Sequence, residues 1–235
     1  MSTNYVKAVL FDLDGTLIDT ATDFVRIIGQ MSEANGWQTP STASIREQVS
    51  AGAGAMVSLM LQHNNQPLND EQVQLYRQQF LDTYEADICV DSHVFPGLEL
   101  LLDFYDSNGI PWGIVTNKPR YLATKLLECL NLDERCSVLV CPDDVSNTKP
   151  DPEPMYLALE KLGLPRGVAN SVIYVGDHIR DIQAGAAAGM TNVLASYGYI
   201  PPEDQDNLSS WGADYIAETP KALVQLLRSK EFDYL

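Results

Sequence analysis

The stretch Val9-Leu10-Phe11-Asp12-Leu13-Asp14-Gly15-Thr16-Leu17, written VLFDLDGTL, closes an apolar run on two acids and follows them with glycine and threonine. The four apolar residues from Ala8 to Phe11 read as a strand covered on both faces, which is the pattern of a central strand in a parallel sheet. Residues two apart in an extended chain point to the same side, so the Asp12 and Asp14 carboxylates can address one ligand where the strand ends. Like charges this close repel unless a cation or proton lies between them. A hard, oxygen-seeking ion such as Mg²⁺, which bridges carboxylates to a phosphate, meets that need. A calcium loop of the EF-hand kind does not fit, because the glycine comes too early and a strand precedes it.

The same grammar recurs along the chain. WGIV runs into Thr116, VLVC into Pro142-Asp143, and VIYV into Gly176-Asp177; further runs lie at Asn192-Val193-Leu194-Ala195 and Asp214-Tyr215-Ile216-Ala217. Helical stretches are predicted between them, over 97–107, 120–131, 153–162 and 181–188, with a closing helix over 220–228. Alternating strands and helices predict a doubly wound, Rossmann-like α/β fold with a parallel sheet and right-handed crossovers. Its strand ends would then share one crevice. Residues 19–90 break the rhythm, with no convincing strand. Phe24, Ile27, Ile28 and Met31 fall at helical spacing, as do Val73, Tyr76, Phe80 and Tyr84. The expected organisation is therefore a core of residues 1–18 and 91–235 carrying an inserted α-helical domain over 19–90. A glycine-rich elbow, Ser50-Ala51-Gly52-Ala53-Gly54-Ala55, divides two helical stretches within it, and Pro67 with Asn69-Asp70 marks a second break.

Composition narrows the function. The 235 residues are 45% hydrophobic and 20% charged, ordinary for a globular enzyme. With 32 Asp and Glu against 15 Lys and Arg, the net charge of −17 argues against a nucleic-acid partner, whose phosphates need a basic footprint. A small anionic substrate must instead be drawn by a local positive site. Cys89, Cys129, Cys136 and Cys141 include no C-x-x-C pair, the usage of reduced thiols rather than a disulfide frame or zinc site. MSTNYVKAVLF is not a signal sequence and no run is long enough to span a bilayer, so a cytoplasmic protein without membrane association is expected. Oligomeric state is left open by the sequence.

The remaining strand ends supply what phosphoryl chemistry requires. Thr116 and Asn117 offer hydroxyl, amide and turn N–H groups to phosphate oxygens, and Lys149 lies between Asn147-Thr148 and Pro150-Asp151-Pro152, in a loop that prolines stiffen. Gly176-Asp177 adds a third strand-end carboxylate, with Asp181 about one helical turn later. His63, His93 and His178 form no ligand cluster.

These four ordered pieces, DLDGT, Thr116, Lys149-Pro150 and Gly176-Asp177-His178-Ile179-Arg180-Asp181, resemble the motifs of the haloacid dehalogenase (HAD) superfamily, within it the phosphoglycolate-phosphatase-like branch. The resemblance covers almost the whole chain and places the helical insertion where that family carries its cap. It implies a Mg²⁺-dependent phosphatase acting on a small phosphomonoester, in which Asp12 is the nucleophile and Asp14 the general acid and base. It further implies that Asp12, Asp177 and the Asp14 main-chain carbonyl hold the metal. Thr116, Asn117 and Lys149 hold phosphate, and Asp181 orients Lys149 or a metal-bound water. An acid at position 14 favours a phosphatase over a dehalogenase or an ion pump; 2-phosphoglycolate is one substrate candidate, and a sugar-phosphate mutase or a non-catalytic regulator are the alternatives. Arg46, Gly52 and Gly54 are the candidate substrate contacts from the cap.

Overall fold

The computed structural model describes residues 5–234. In chain order the first half comprises β1 (Tyr5–Val6), β2 (Ala8–Phe11), β3 (Ile18–Asp19), α1 (Ala21–Ala34), α2 (Thr42–Arg46), α3 (Ala53–His63), α4 (Asp70–Ala86) and β4 (His93–Val94). The second half runs through α5 (Leu98–Ser107), β5 (Trp112–Val115), α6 (Arg120–Cys129), β6 (Val138–Val140), α7 (Glu153–Lys161), β7 (Val172–Gly176), α8 (Ile179–Ala188), β8 (Thr191–Ala195), β9 (Tyr215–Ala217), α9 (Pro220–Leu227) and β10 (Asp233–Tyr234).

Six strands form one sheet in the order β6-β5-β2-β7-β8-β9, every neighbouring pair parallel. The expectation of a doubly wound parallel sheet is met. β2 lies at the switch point, with Val9 in register with both Trp112 and Ile173. Its uniform burial follows from its period of two. Val9 and Phe11 pack with α5, α6 and α9, while Ala8 and Leu10 pack with α7 and α8 on the other face. Because the chain winds outward from β2 in both directions, the carboxyl ends of β5, β2 and β7 converge, as ligand crevices in such sheets require.

Helices α1 to α4 build an apolar core of their own from Phe24, Ile27, Ile28, Met56, Phe80 and Tyr84, joined by Leu122 of α6 and by Tyr199. Phe24 meets the Tyr84 ring edge-on at 4.8 Å. The Asn69 side chain caps α4 by accepting from the Gln72 N–H at 2.8 Å.

Two features depart from the sequence reading. Asp19 belongs to a strand: β3 pairs antiparallel with β4, Ile18 opposite Val94 and Asp19 opposite His93, so the outgoing and returning connectors of the helical insertion run side by side. β1 pairs with β10, bringing the two ends of the described chain together. Strands of two residues carry no readable periodicity, and their stability comes from a partner distant in sequence.

Candidate active site

Four buried charged side chains meet at the carboxyl ends of the central strands: Asp12 after β2, Lys149 from the loop after β6, Asp177 after β7, and Asp181 in the first turn of α8. Lys149 Nζ stands 2.8 Å from Asp12 Oδ1 and 2.6 Å from Asp181 Oδ1, and donates to the Val115 carbonyl and the Tyr174 hydroxyl, each at 2.9 Å. Burial alone would raise the Asp12 carboxyl, but the Lys149 ammonium, with Arg180 behind it, holds it below the usual carboxylate value. The same pairing outweighs desolvation of the lysine, whose pKa moves up. Asp181 also accepts from the His178 N–H at 3.0 Å, which closes a capping box at the start of α8.

Asp177 has no ion-pair partner among the described residues. Its Oδ2 accepts from the Ser50 hydroxyl at 2.9 Å and the Tyr199 N–H at 2.8 Å, while Oδ1 is buried without a hydrogen-bond partner among the described residues. Burial, reinforced by the Asp12 and Asp181 carboxylates, pushes its pKa up to about 8. Glycines make this approach possible, for a Cβ on Gly15 or on Gly198 would collide with the Asp177 carboxylate. Asp12, Asp177 and Asp181 bring carboxylate oxygens within 4.8 Å of one another, an all-oxygen set suited to a hard divalent cation.

Asp14 has partners of its own. Its Oδ1 accepts from the Thr20 hydroxyl at 2.7 Å and from Lys118 Nζ at 3.0 Å. Both Asp12 and Asp14 line a cavity of about 420 Å³ between the strand ends and the helical insertion. Thr116 and Asn117 line it too. Thr116 accepts from the Lys118 N–H at 3.1 Å and does not cap α6; Asn117 donates to the Lys149 carbonyl at 3.1 Å, joining the two loops.

Of the candidate contacts in the insertion, Gly52 and Gly54 line the cavity. Gly52, at φ 92°, opens α3 in a conformation that disfavours side chains. Arg46 does not line it: its guanidinium lies 3.2 Å from Asp19 and 5.3 Å from the centre of the Tyr199 ring, so it ties α2 to the connector. His178 is half-buried and held to about 4 by that burial, with Nδ1 accepting from the Arg180 N–H, while His63 and His93 are exposed on separate elements.

Four residues without an assigned role in the sequence reading are prominent. Lys118 is buried, with its ammonium 4.4 Å from the Tyr84 ring centre and 4.9 Å from that of Phe24. Ser50 and Arg180 fasten the elbow to the core, the first through Asp177 and the second by donating to the Ser50 carbonyl. Tyr199 accepts at its hydroxyl from the N–H groups of Thr20 and Ala21 and donates to Asp19 at 2.7 Å. Lys118 and Arg180 were within reach of sequence reasoning, since each lies inside a strand-end motif. Ser50 and Tyr199 act through partners more than a hundred residues away, which no local pattern encodes.

Residues 6–189 match the family model described as haloacid dehalogenase-like hydrolase. Over 222 residues the chain is 42% identical to the N-acetylmuramic acid 6-phosphate phosphatase of Pseudomonas aeruginosa, covering 94% of this chain and 95% of that one. It is 39% identical over 219 residues to the phosphoglycolate phosphatase of Xanthomonas campestris pv. campestris, covering 93% and 95%. Among solved structures, that of a predicted phosphoglycolate phosphatase from Haemophilus somnus superposes with a TM-score of 0.81 at 24% identity, covering 97% of this chain and 99% of the other.

Proposed function

Since the chain belongs to the haloacid dehalogenase-like hydrolase family and is a phosphatase, we propose that it is a Mg²⁺-dependent phosphomonoesterase that hydrolyses N-acetylmuramic acid 6-phosphate through an aspartyl-phosphate. 2-Phosphoglycolate is the second reading. The observation carrying the first is the cavity: about 420 Å³ with a wall of Phe24, Met56, Phe80, Tyr84 and Leu122 facing the Asp12 end. Cavities for ligands of that complexity run from about 300 to 1,000 Å³. An amino sugar with apolar substituents uses such a wall, whereas a two-carbon acid leaves most of it uncovered. The stretches WGIVTNKP, CPDDVSNTKPDPEP and YGYIPPED also resemble the N-acetylmuramic acid 6-phosphate phosphatases. The four unpaired cysteines suit a reducing cytoplasm.

In this reading residues 1–18 and 91–235 are the catalytic core and residues 19–90 the cap. Asp12, kept ionised by Lys149, attacks phosphorus in line. The bond to the leaving oxygen breaks, and Asp14, as general acid, delivers a proton to that oxygen. Asp14 then takes a proton from water, whose oxygen attacks the aspartyl-phosphate, releasing inorganic phosphate and restoring the Asp12 carboxylate. Thr116, Asn117 and Lys149 offset charge on the phosphoryl oxygens, and Asp181 fixes Lys149 from behind. Asp12, Asp177 and the Asp14 carbonyl would hold Mg²⁺, a fit supported by the partnerless Asp177 Oδ1. The ion supplies positive charge that lets an anionic phosphate approach a carboxylate.

Phosphate release measured in parallel on N-acetylmuramic acid 6-phosphate, 2-phosphoglycolate and common hexose phosphates tests the assignment. The muramic ester should show the highest kcat/KM, and a larger value for 2-phosphoglycolate reverses the order of the two readings. Asp12→Asn should abolish turnover while keeping the fold; a folded variant that still turns over removes Asp12 as the nucleophile.

A further inference from the structure

Three cationic side chains line the cavity; Lys118 is paired with Asp14 and Arg180 with the Ser50 carbonyl, which leaves Arg77. Arg77, on α4, is half-buried in the cavity wall. Among the described residues its guanidinium has neither an ion-pair nor a hydrogen-bond partner. Every other arginine is engaged: Arg26, Arg46, Arg120 and Arg135 with carboxylates, Arg180 with the Ser50 carbonyl, and Arg166 and Arg228 over the rings of Tyr156 and Phe104. In a chain with 32 acidic residues against 15 basic ones, an arginine of the cavity wall without a protein partner is suited to receive an anion. The phosphate is already provided for by Thr116, Asn117 and Lys149 at the strand ends, whereas Arg77 belongs to the helical insertion. It lies beside the elbow: a Cβ on Gly54 would stand 3.9 Å from Arg77 Cδ, an ordinary contact distance.

A guanidinium presents parallel N–H donors whose spacing matches the two oxygens of a carboxylate. N-Acetylmuramic acid 6-phosphate and phosphoglycolate, named for the relatives, differ greatly in size. Both carry a carboxylate on the alcohol that departs. We propose that Arg77 binds this carboxylate and makes the enzyme selective for phosphomonoesters of carboxylic acids over neutral sugar phosphates. The inference rests on the cavity being the phosphomonoester site, but not on which of the two acids is the substrate.

Two matched pairs test it: N-acetylmuramic acid 6-phosphate against N-acetylglucosamine 6-phosphate, which lacks only the lactyl ether, and 2-phosphoglycolate against ethyl phosphate. In the preferred pair the wild-type enzyme should favour the carboxylate-bearing member roughly 10- to 100-fold in kcat/KM, the range of one charge-assisted bidentate contact. Arg77→Gln should reduce that ratio at least tenfold, mostly through KM of the acid, and Arg77→Lys should restore part of it. Equal losses on both members, or an unchanged ratio, overturn the proposal, as does a wild-type enzyme indifferent to the carboxylate in both pairs. Calorimetric Kd values in an Asp12→Asn background separate this idea from the catalytic reading. There the acid should bind more tightly than its neutral partner only while Arg77 is present, whatever becomes of turnover, and equal binding of both members with Arg77 in place overturns it.

Discussion

Lys149 shares its charge between two buried carboxylates, and this makes its loss costly. Lys149→Met leaves Asp12 and Asp181 buried without their paired ammonium, with only the Arg180 charge beyond, which costs about 3–5 kcal/mol. Burial then holds those carboxyls above their unfolded values near 3.9, so ionising them disfavours the folded state and the deficit shrinks as the pH falls. Urea midpoints at pH 7 and pH 5 should show the gap to wild type narrowing at the lower pH; a constant gap means the lysine acts by packing alone. Legibility at this scale follows the strand ends. Asp12, Asp14, Thr116 and Asp177 stand at the ends of apolar runs and Lys149 directly before Pro150, where the surrounding residues single them out. Lys118 lies in the same Thr-Asn-Lys-Pro turn, so its place at a strand end was readable, but its partners Asp14, Phe24 and Tyr84 come from distant parts of the chain.

The connector between sheet and insertion is held by α1 as well as by the β3–β4 pair. Asp23, in the first turn of α1, accepts from the N–H groups of Asp91 and Ser92 at 3.0 and 3.1 Å, from the Ser92 hydroxyl at 2.5 Å and from Arg26 at 2.8 Å. Burial opposes the charge, but these donors hold the Asp23 carboxyl below its ordinary value. A depressed carboxylate contributes stability in full above the unfolded value of about 3.9 and loses it as the pH falls through the folded one. Asp23→Asn should cost about 2–4 kcal/mol at pH 7 and flatten the acid limb of stability between about pH 5 and pH 3; chemical denaturation across that range measures both. The elbow calls for a kinetic test. Gly54→Leu projects side-chain atoms toward Arg77 and the cavity, so it should alter the ratio of kcat/KM between the muramic ester and 2-phosphoglycolate more than it alters hydrolysis of an aryl phosphate. Proportional loss on all three would make the elbow a structural hinge only. Helices and the elbow were legible because their periodicity spans several turns, with boundaries set by Gly52 and Asn69. β3 and β4 were not, since two residues carry no period and Asp19 is separated in sequence from its partner His93 by the whole insertion.

For the molecule as a whole, the succession of apolar runs ending on polar turns was enough to anticipate the doubly wound sheet, while the meeting of elbow and core depended on bonds such as Ser50 to Asp177 that only the assembled structure defines. The acidic cluster predicts a global response to metal. A ligand at one hundred times its Kd stabilises a protein by about 2.7 kcal/mol, roughly 5–10 °C in Tm for a chain of this size. Mg²⁺ at that level should raise Tm accordingly in the wild type and far less in Asp177→Asn; equal shifts in both proteins would locate the ion elsewhere. The side-by-side connectors have a consequence for inheritance. Because Asp19 and His93 already face each other across two paired strands, everything from residue 20 to residue 92 is, to the sheet, one long loop whose ends are pinned. The entropy of closing such a loop grows only with the logarithm of its length. The insertion can therefore lengthen, shrink or be exchanged for another lineage's without disturbing the register of β2, β5 and β7, leaving a fixed hydrolytic chassis on which new substrate preferences can be transplanted.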